Sequence, residues 1–189
     1  MGKIMDLFHD SAKNFKDLRC LIITALFIAL QIILDMFCQI YITQELRVGF
    51  AFLGAACIGM LYGPSVGIIA GLVSDVLTYV ITHSPGGFFP GFTVTTMVAG
   101  MIYGCFLYRK KITVMRCILT KLTINVGCNI LLNSLWFSLL NGQAMFAIIA
   151  SRILKNVILL PVEIILLYFV CNAVYAIYVR SNMRVRNGI

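Results

Sequence analysis

Charged side chains are scarce in this sequence. Of its 189 residues only 12% are Asp, Glu, Lys or Arg, whereas 61% are hydrophobic. An ordinary soluble domain carries about twice that share of charge on its surface. The composition therefore excludes a soluble globular domain and predicts an integral membrane protein.

Several kinds of site are missing as well. The seven cysteines form no Cys-x-x-Cys pair, and the only histidines are His9 and His83, so no convincing metal-binding set exists. No phosphate-binding loop of the form GxxxxGKS or GxxxxGKT is present, so the chain cannot itself be the ATPase of a pump. We expect no metal or cofactor, cysteines that act as small buried apolar residues, and an energy source in a partner or an ion gradient.

Long apolar runs fill most of the chain. They are Leu18 to Phe37, Val48 to Tyr62, Ser65 to Ile81, Phe92 to Tyr108, Val114 to Leu140 and Phe146 to Tyr178. Most approach the roughly 20 residues that a membrane-spanning helix needs. The second is short, and a kink at Pro161 or first turns outside the core would account for the length of the last. We predict an all-α integral membrane protein, a bundle of six transmembrane helices in one membrane domain over residues 1–189.

Basic residues give this bundle an orientation. They cluster before the first run, between the fourth and fifth, and after the last: Lys3, Lys13, Lys16, Arg19, Arg109, Lys110, Lys111, Arg116, Arg180, Arg184 and Arg186. With six spans the three clusters share one side, which the positive-inside rule makes cytoplasmic. Both termini are then cytoplasmic, and the net charge of +8 needs no nucleic acid to explain it.

The two ends of the chain lie outside the spans. Residues 1–18 repeat apolar residues at helical spacing, which predicts an interfacial amphipathic helix whose apolar face is Ile4, Leu7, Phe8, Ala12, Phe15 and Leu18. Residues 18–180 hold the six spans, and residues 181–189 form a basic cytoplasmic tail.

The stretch SPGGFFPGF, Ser84 to Phe92, interrupts two apolar runs. It holds half of the four prolines of the chain, which excludes a helix there. It is also too aromatic for an ordinary solvated turn. We expect a shaped loop.

Ionisable residues outside the cytoplasmic clusters mark candidate sites, because charge inside a membrane is costly. They are Asp35, Glu45, Arg47, Asp75, Lys121, Arg152, Lys155 and Glu163. Arg47, Arg152 and Lys155 fall near the outer face, where snorkelling to lipid headgroups is the simpler explanation.

The fifth run repeats a polar residue at every fourth position, namely Lys121, Asn125, Asn129 and Asn133, followed by Trp136. Residues four apart share a helix face. Asn125 and Asn129 suit hydrogen bonds between helices. Asn133 and Trp136 lie nearer the outer loops, where an aromatic plane beside amides and cations suits a flat, polar, anionic ligand.

Small residues recur at spacings of four. Gly59, Gly63, Gly67, Gly71, Gly100 and Gly104 predict close packing between helices, and Ala25 and Ala29 form a further pair on the first span.

With these features in place, the chain resembles the substrate-binding S components of energy-coupling-factor (ECF) vitamin transporters, most closely their folate-specific branch. The matching stretches are RVGFAFLGAACIGMLYGPSVGIIAGLVSD (Arg47 to Asp75), GGFFPGFT (Gly86 to Thr93), LNSLWF (Leu132 to Phe137) and RILKNVILLPVE (Arg152 to Glu163). Among these, FFPGFT is the most specific, and the four stretches extend from the second to the sixth helix.

The resemblance implies a six-helix bundle in a bacterial cell membrane that binds its vitamin near the outer face. It implies as partners a transmembrane coupling subunit, which the Ala25 and Ala29 pair would face, and two ATPase subunits. ATP is then used by those partners alone, and the S component topples to carry the site to the cytoplasm. The loop from Ser84 to Phe92 becomes a gate over the pocket.

Folate also fits the residues chemically. Asp75 and Asn133 can match the pterin edge and Trp136 its face, while Arg47, Arg152 or Lys155 can meet the glutamate dianion. The apolar cover comes from the FFPGF stretch, with Phe88, Phe89, Pro90, Gly91 and Phe92.

Two other functions compete with folate binding. An S component for riboflavin or thiamine would share the bundle but would not need three outer cations. A lipid-modifying intramembrane enzyme could use Asp75, His83 and Glu163 as acid and base, but no nucleophile stands beside a base at a recognisable spacing. We therefore expect no enzyme.

Overall fold

The chain folds almost entirely into helices in a computed structural model that describes residues 2–38, 40–41, 47–82, 87–141 and 145–186. The helices are α1 (Gly2–Lys13), α2 (Leu18–Phe37), α3 (Phe52–Tyr62), α4 (Pro64–Thr82), α5 (Pro90–Leu107), α6 (Val114–Ile124), α7 (Asn133–Asn141) and α8 (Met145–Arg186). A 3₁₀ turn, Asn14–Lys16, joins α1 to α2, and a π-helical segment, Asn125–Leu132, joins α6 to α7. Two short strands, β1 (Ile40–Tyr41) and β2 (Arg47–Val48), pair antiparallel between α2 and α3.

The predicted spans correspond to these helices. Five stretches among the described residues are long and apolar enough to cross a membrane: Leu18–Phe37, Pro64–Thr82, Pro90–Leu107, Val114–Leu140 and Asn156–Arg180. The second predicted span is α3, whose 11 residues cover about half of the hydrocarbon thickness. The predicted all-α membrane bundle is confirmed, with α1 as an additional helix before the first span.

The last span runs through its proline. Pro161 lies inside α8, which continues without interruption from Met145 to Arg186 over 42 residues. Proline removes one backbone hydrogen bond from a helix but leaves the rest of the ladder in place. The length of the last apolar run therefore reflects one long helix.

Glycine allows the central helices to approach closely. A Cβ atom at Gly67 on α4 would collide with the backbone of Gly100 on α5, and one at Gly71 would collide with that of Thr96. Gly63 ends α3 with φ of 90°, a conformation that glycine adopts at little cost, and Pro64 then begins α4. The predicted packing role of these glycines is confirmed.

The core between α3, α5, α6 and α8 contains several cysteines. Cys117, Cys128 and Cys171 are buried there beside Tyr103 and Leu167. Together with Cys20 and Cys57 they are buried as free thiols, whereas Cys38 is exposed. Most of the cysteines are therefore small buried residues, as the sequence predicts.

Helix α1 packs on the turn between α3 and α4 through a buried serine. The Ser11 hydroxyl donates to the Tyr62 carbonyl oxygen at 2.7 Å and accepts from the backbone N–H groups of Ser65 and Val66 at 3.0 and 3.3 Å. It therefore serves the last turn of one helix and the first turn of the next, where backbone groups lack partners within their own helix.

The region around α1 is unevenly exposed. Ser11 is fully buried, whereas Ala12 on α1 and Leu18 at the start of α2 are exposed. A hydroxyl suits position 11 because α1 docks there on polar helix ends of its own chain. The contact of the predicted apolar face with the membrane interface stays a prediction.

Replacing Ser11 by alanine should destabilise the bundle. The variant leaves the Ser65 and Val66 N–H groups without their acceptor, which costs about 1 to 3 kcal/mol for a buried polar group, while the Tyr62 carbonyl keeps its bond from the Asn14 amide at 3.0 Å. Thermal unfolding in detergent should show a lower midpoint for Ser11→Ala, while His9→Ala, an exposed position on the same helix, should match the unaltered protein. Equal midpoints for all three proteins would show that the contact contributes nothing.

Candidate functional site

The candidate site lies where α5 begins, at the end of α4 that is remote from α1. Phe89 caps α5 in an extended conformation, and Pro90 occupies its first turn. Proline is favoured there because the first N–H groups of a helix have no intrahelical acceptor to reach. The expectation of a non-helical loop through Phe92 was wrong, since Pro90, Gly91 and Phe92 are helical.

Four aromatic rings from α5 and α7 form what we call the aromatic cluster: Phe89, Phe92, Trp136 and Phe137. Ring centroids lie 5.7 Å apart for Phe89 and Trp136, 5.8 Å for Phe89 and Phe92, and 5.3 Å for Phe92 and Phe137. All three pairs meet edge to face, an arrangement that the charge distribution of aromatic rings favours.

Gly91 makes room for this cluster. A Cβ atom on Gly91 would collide with the Phe89 ring and would lie 2.6 Å from Cδ2 of Trp136. Any larger residue would therefore displace one of the two rings. The conformational freedom of glycine is not needed here, because what matters is the absent side chain.

Trp136 points into the bundle. Its indole Nε1–H donates to the Thr95 hydroxyl at 3.1 Å, and its side chain is half-buried. An interfacial lipid anchor would instead direct its N–H toward headgroups and water. The geometry favours the wall of a site over a membrane anchor.

Asp75 lies beside the same stretch of α5. Its Oδ2 accepts a hydrogen bond of 2.7 Å from the Thr93 hydroxyl. Thr93 and Thr95 are both buried, and they connect the carboxylate of α4 and the indole of α7 to one short segment. A carboxylate and an aromatic plane are thus brought to the same region of the bundle.

Arg152 brings a positive charge to Phe137 of the aromatic cluster. Its guanidinium carbon lies 4.6 Å from the centroid of the Phe137 ring, and its NH1 donates to the Asn129 carbonyl oxygen at 3.2 Å. A guanidinium over a ring face is held by cation–π attraction. Arg152 therefore approaches the cluster from α8.

The remaining predicted site residues fall in different places. Phe88 is 45% exposed and packs on Tyr79, with ring centroids 5.3 Å apart, rather than on Trp136. Asn133 begins α7 and is half-buried, and its side chain makes no hydrogen bond to any residue that the structure describes. The side chains of Arg47 and Lys155 lie outside the described part of the structure, as do His83, Glu45 and the start of the Ser84 to Phe92 stretch.

Sequence reasoning missed three residues of this site. Thr93 orients Asp75, and Thr95 orients Trp136. Phe137 contacts the Arg152 guanidinium through the face of its ring. Two of the three were visible inside the quoted motifs, Thr93 at the end of GGFFPGFT and Phe137 at the end of LNSLWF. Their partners lie on other helices, so the sequence alone could not assign their roles.

The site combines an aromatic wall with a carboxylate near one part and a guanidinium near another. Such a set suits a flat heteroaromatic ligand with hydrogen-bond donors and an anionic group. Among the described residues no group of three His, Cys, Asp or Glu side chains could hold a metal ion.

A second surface lies on the side of α2 that faces away from the bundle. Ala25 and Ala29 are both exposed there, one helical turn apart. Ala25 also opens on an apolar groove of about 170 Å³ between α2 and α4, whose walls include Phe15, Cys20, Ile28 and Val66. The alanine pair therefore has no packing role inside the described bundle.

Comparison with known proteins gives concordant results. The family described as ECF transporter, substrate-specific component, matches residues 19–171. The folate transporter FolT of Clostridium novyi (strain NT) is 37% identical over 153 residues, which cover 81% of this chain and 88% of the relative. The folate transporter FolT of Leuconostoc mesenteroides subsp. mesenteroides is 30% identical over 166 residues, covering 82% and 86%. A crystal structure of FolT bound with folic acid superposes with a TM-score of 0.76 at 35% identity, covering 82% of this chain and 94% of that one.

Proposed function

The chain belongs to the family of substrate-specific components of ECF transporters, and from this premise we propose that it is the folate-binding subunit of such an importer. It captures folate in the membrane and delivers it when coupled to partner subunits. The observation that carries this proposal is the aromatic cluster, with Asp75 bonded to Thr93 next to Phe92 and Arg152 over the Phe137 ring. The likeness to proteins named as folate transporters supports it.

The pterin of folate meets the α4 and α5 side of the site in this proposal. Its amino group and ring N–H donate hydrogen bonds to the Asp75 carboxylate. The Asn133 amide offers the pterin a further donor and a further acceptor. The pterin face stacks on Trp136, whose orientation is set by Thr95. Phe89 and Phe92 cover the pterin, and Gly91 leaves space for the Phe89 and Trp136 rings that line the site.

The glutamate tail is a dianion and needs cations. Arg152 is the described candidate, because its planar guanidinium can donate two hydrogen bonds to one carboxylate. Arg47 and Lys155 remain candidates from the sequence. Riboflavin and thiamine lack such a tail, so this set of cations favours folate over either of them.

The partners of the protein follow from its family. We infer a transmembrane coupling subunit that contacts α2 at Ala25 and Ala29, and two ATPase subunits that consume the ATP. The exposure of both alanines and the groove beside Ala25 support a close contact with another helix. Toppling of the S component would then carry the folate site across the membrane, without a cofactor in this chain.

The protein is a multi-pass membrane protein, and its family is a substrate-binding component rather than an enzyme. We infer that it lies in the bacterial cell membrane with both termini in the cytoplasm, since the basic clusters then obey the positive-inside rule. The aromatic cluster lies at the opposite end of α4 from α1, which would place folate near the outer face.

The single tryptophan offers a direct test of the proposed site. If the pterin stacks on Trp136, tryptophan fluorescence should fall saturably as folate is added, with the same midpoint as calorimetry. Folate absorbs in this region, so the signal is corrected against free tryptophan. A flat corrected signal together with tight binding would place the pterin elsewhere, with Tyr79 and Phe88 as the next candidates.

Substitution of the same residue should change affinity. Trp136→Leu removes the stacking face, and an aromatic contact contributes about 0.5 to 1.5 kcal/mol beyond the area that it buries. We expect a loss of roughly tenfold in folate affinity by calorimetry. Trp136→Tyr restores a stackable ring and should recover much of that loss, whereas equal losses for Leu and Tyr would argue against stacking.

A further inference from the structure

A buried ion pair lies deeper in the bundle than the aromatic cluster. Lys121 is 2% exposed, and its Nζ is 3.3 Å from Oε2 of Glu163 and 3.2 Å from the centroid of the Phe52 ring. Charges within a membrane are costly and are usually retained for a function. The folate site described above does not use this pair.

Two amides continue from the ion pair along the π-helical segment. The Asn125 Nδ2 donates to Glu163 Oε2 at 3.4 Å, and the Asn129 Nδ2 donates to Asn125 Oδ1 at 2.8 Å. Asn125 is 2% exposed. Glu163 therefore orients the Asn125 amide, and Asn125 orients the Asn129 amide. These hydrogen bonds form a line from the Lys121–Glu163 pair into the π-helical segment.

This line ends at Arg152. The backbone carbonyl of Asn129 accepts from Arg152 NH1 at 3.2 Å, and the same guanidinium lies over Phe137 of the aromatic cluster. The position of that carbonyl depends on the π-helical segment, in which the hydrogen-bond ladder departs from the α-helical pattern. Such segments occur frequently at functional sites.

We propose that Asn125, backed by the Lys121–Glu163 pair, is a positioning residue. It holds the side-chain amide of Asn129, and through this residue, whose backbone carbonyl accepts from Arg152, it sets the place of Arg152 for the anionic tail of the ligand. The inference rests on the proposed function, because it takes Arg152 as a contact of the folate glutamate. Asn125 itself does not touch the ligand. Its loss should therefore reduce recognition of the tail while recognition of the pterin persists.

The test compares folate with pteroate, which carries the pterin and aminobenzoate but no glutamate. Asn125→Leu keeps the branched shape of the side chain and leaves both residues of the ion pair in place. The ratio of folate to pteroate affinity, measured by calorimetry in detergent, should fall about tenfold, within the range of coupling in a shared network. Asn172→Leu is the matched control and should leave the ratio unchanged. Among the residues that the structure describes, the Asn172 amide bonds only to the Tyr168 carbonyl of its own helix.

A double-mutant cycle separates positioning from general packing. In an Arg152→Ala background, Asn125→Leu should have no further effect on the ratio, because the residue through which it acts is gone. A persisting effect, or an equal loss for both ligands, would overturn the inference. Unaltered protein that does not bind folate would overturn the proposed function as well, so the two failures are distinguishable.

A second variant keeps the test decisive if Asn125→Leu does not fold. Lys121→Met combined with Glu163→Leu removes both buried charges at similar volume, a change that is often neutral or stabilising for a buried pair. It also removes the acceptor of the Asn125 amide. The affinity ratio should again fall, and an unchanged ratio would overturn the inference.

Discussion

Replacing Ala25 and Ala29 together by leucine is expected to abolish folate uptake while leaving folate binding by the isolated protein unchanged. Both alanines are exposed on one face of α2, and Ala25 opens on the apolar groove between α2 and α4, so the larger side chains have room within the described bundle. Helices that pack closely in a membrane do so through small residues, and two leucines would hold the partner helix away. Uptake is measured in proteoliposomes that contain the coupling module, and binding by calorimetry in detergent.

A variant on another helix controls for added bulk at the lipid surface. Thr123 is exposed on α6, and Thr123→Leu should retain uptake as well as binding. If the double leucine variant loses folate affinity in isolation, the alanine pair supports the site from within. If it transports normally, this face of α2 is not the contact with the coupling subunit.

Arg152→Ala is expected to weaken folate far more than pteroate. A hydrogen bond to a charged group contributes about 1.5 to 3 kcal/mol, so the loss for folate should be roughly 10-fold to 150-fold. Pteroate lacks the glutamate and should lose little. Calorimetric titration of both ligands against the variant and the unaltered protein gives the comparison.

The control for Arg152 is an arginine at the other end of the bundle. Arg116 bonds to the Lys111 carbonyl and is remote from the aromatic cluster, so Arg116→Ala should leave both affinities unchanged. Equal losses for folate and pteroate in Arg152→Ala would assign the guanidinium to the pterin or to the packing of Phe137. Arg152→Lys should restore only part of the difference, because an ammonium cannot match a carboxylate with two parallel donors.

The bundle could be predicted from the sequence because a membrane permits few alternatives. An apolar run of about 20 residues must satisfy its own backbone, so it becomes a helix. The glycine spacing along α4 and α5 likewise predicts close packing between helices, and the backbones of Gly67 and Gly100 do lie in contact. These features depend on local composition and period alone.

Other features depend on contacts between distant parts of the chain. The π-helical segment bonds to Glu163 and Arg152 on α8, a long way along the chain. The polar residues at every fourth position are equally consistent with an α-helix, so the sequence did not predict the π-helical geometry. Phe88 and Phe89 are neighbours in sequence, yet one packs on Tyr79 and the other on Trp136. The motif pointed to this candidate site, but it could not show that Phe88 and Phe89 pack on different partners.

The most direct measurement of the central claim is a calorimetric titration of the purified protein, alone in detergent, with folate, riboflavin and thiamine in turn. We predict that folate binds saturably at a stoichiometry near one and that neither competitor gives a comparable signal, because only folate carries the dianion that Arg152 is placed to meet. Preference for riboflavin or thiamine, or the absence of saturable folate binding, would contradict the account.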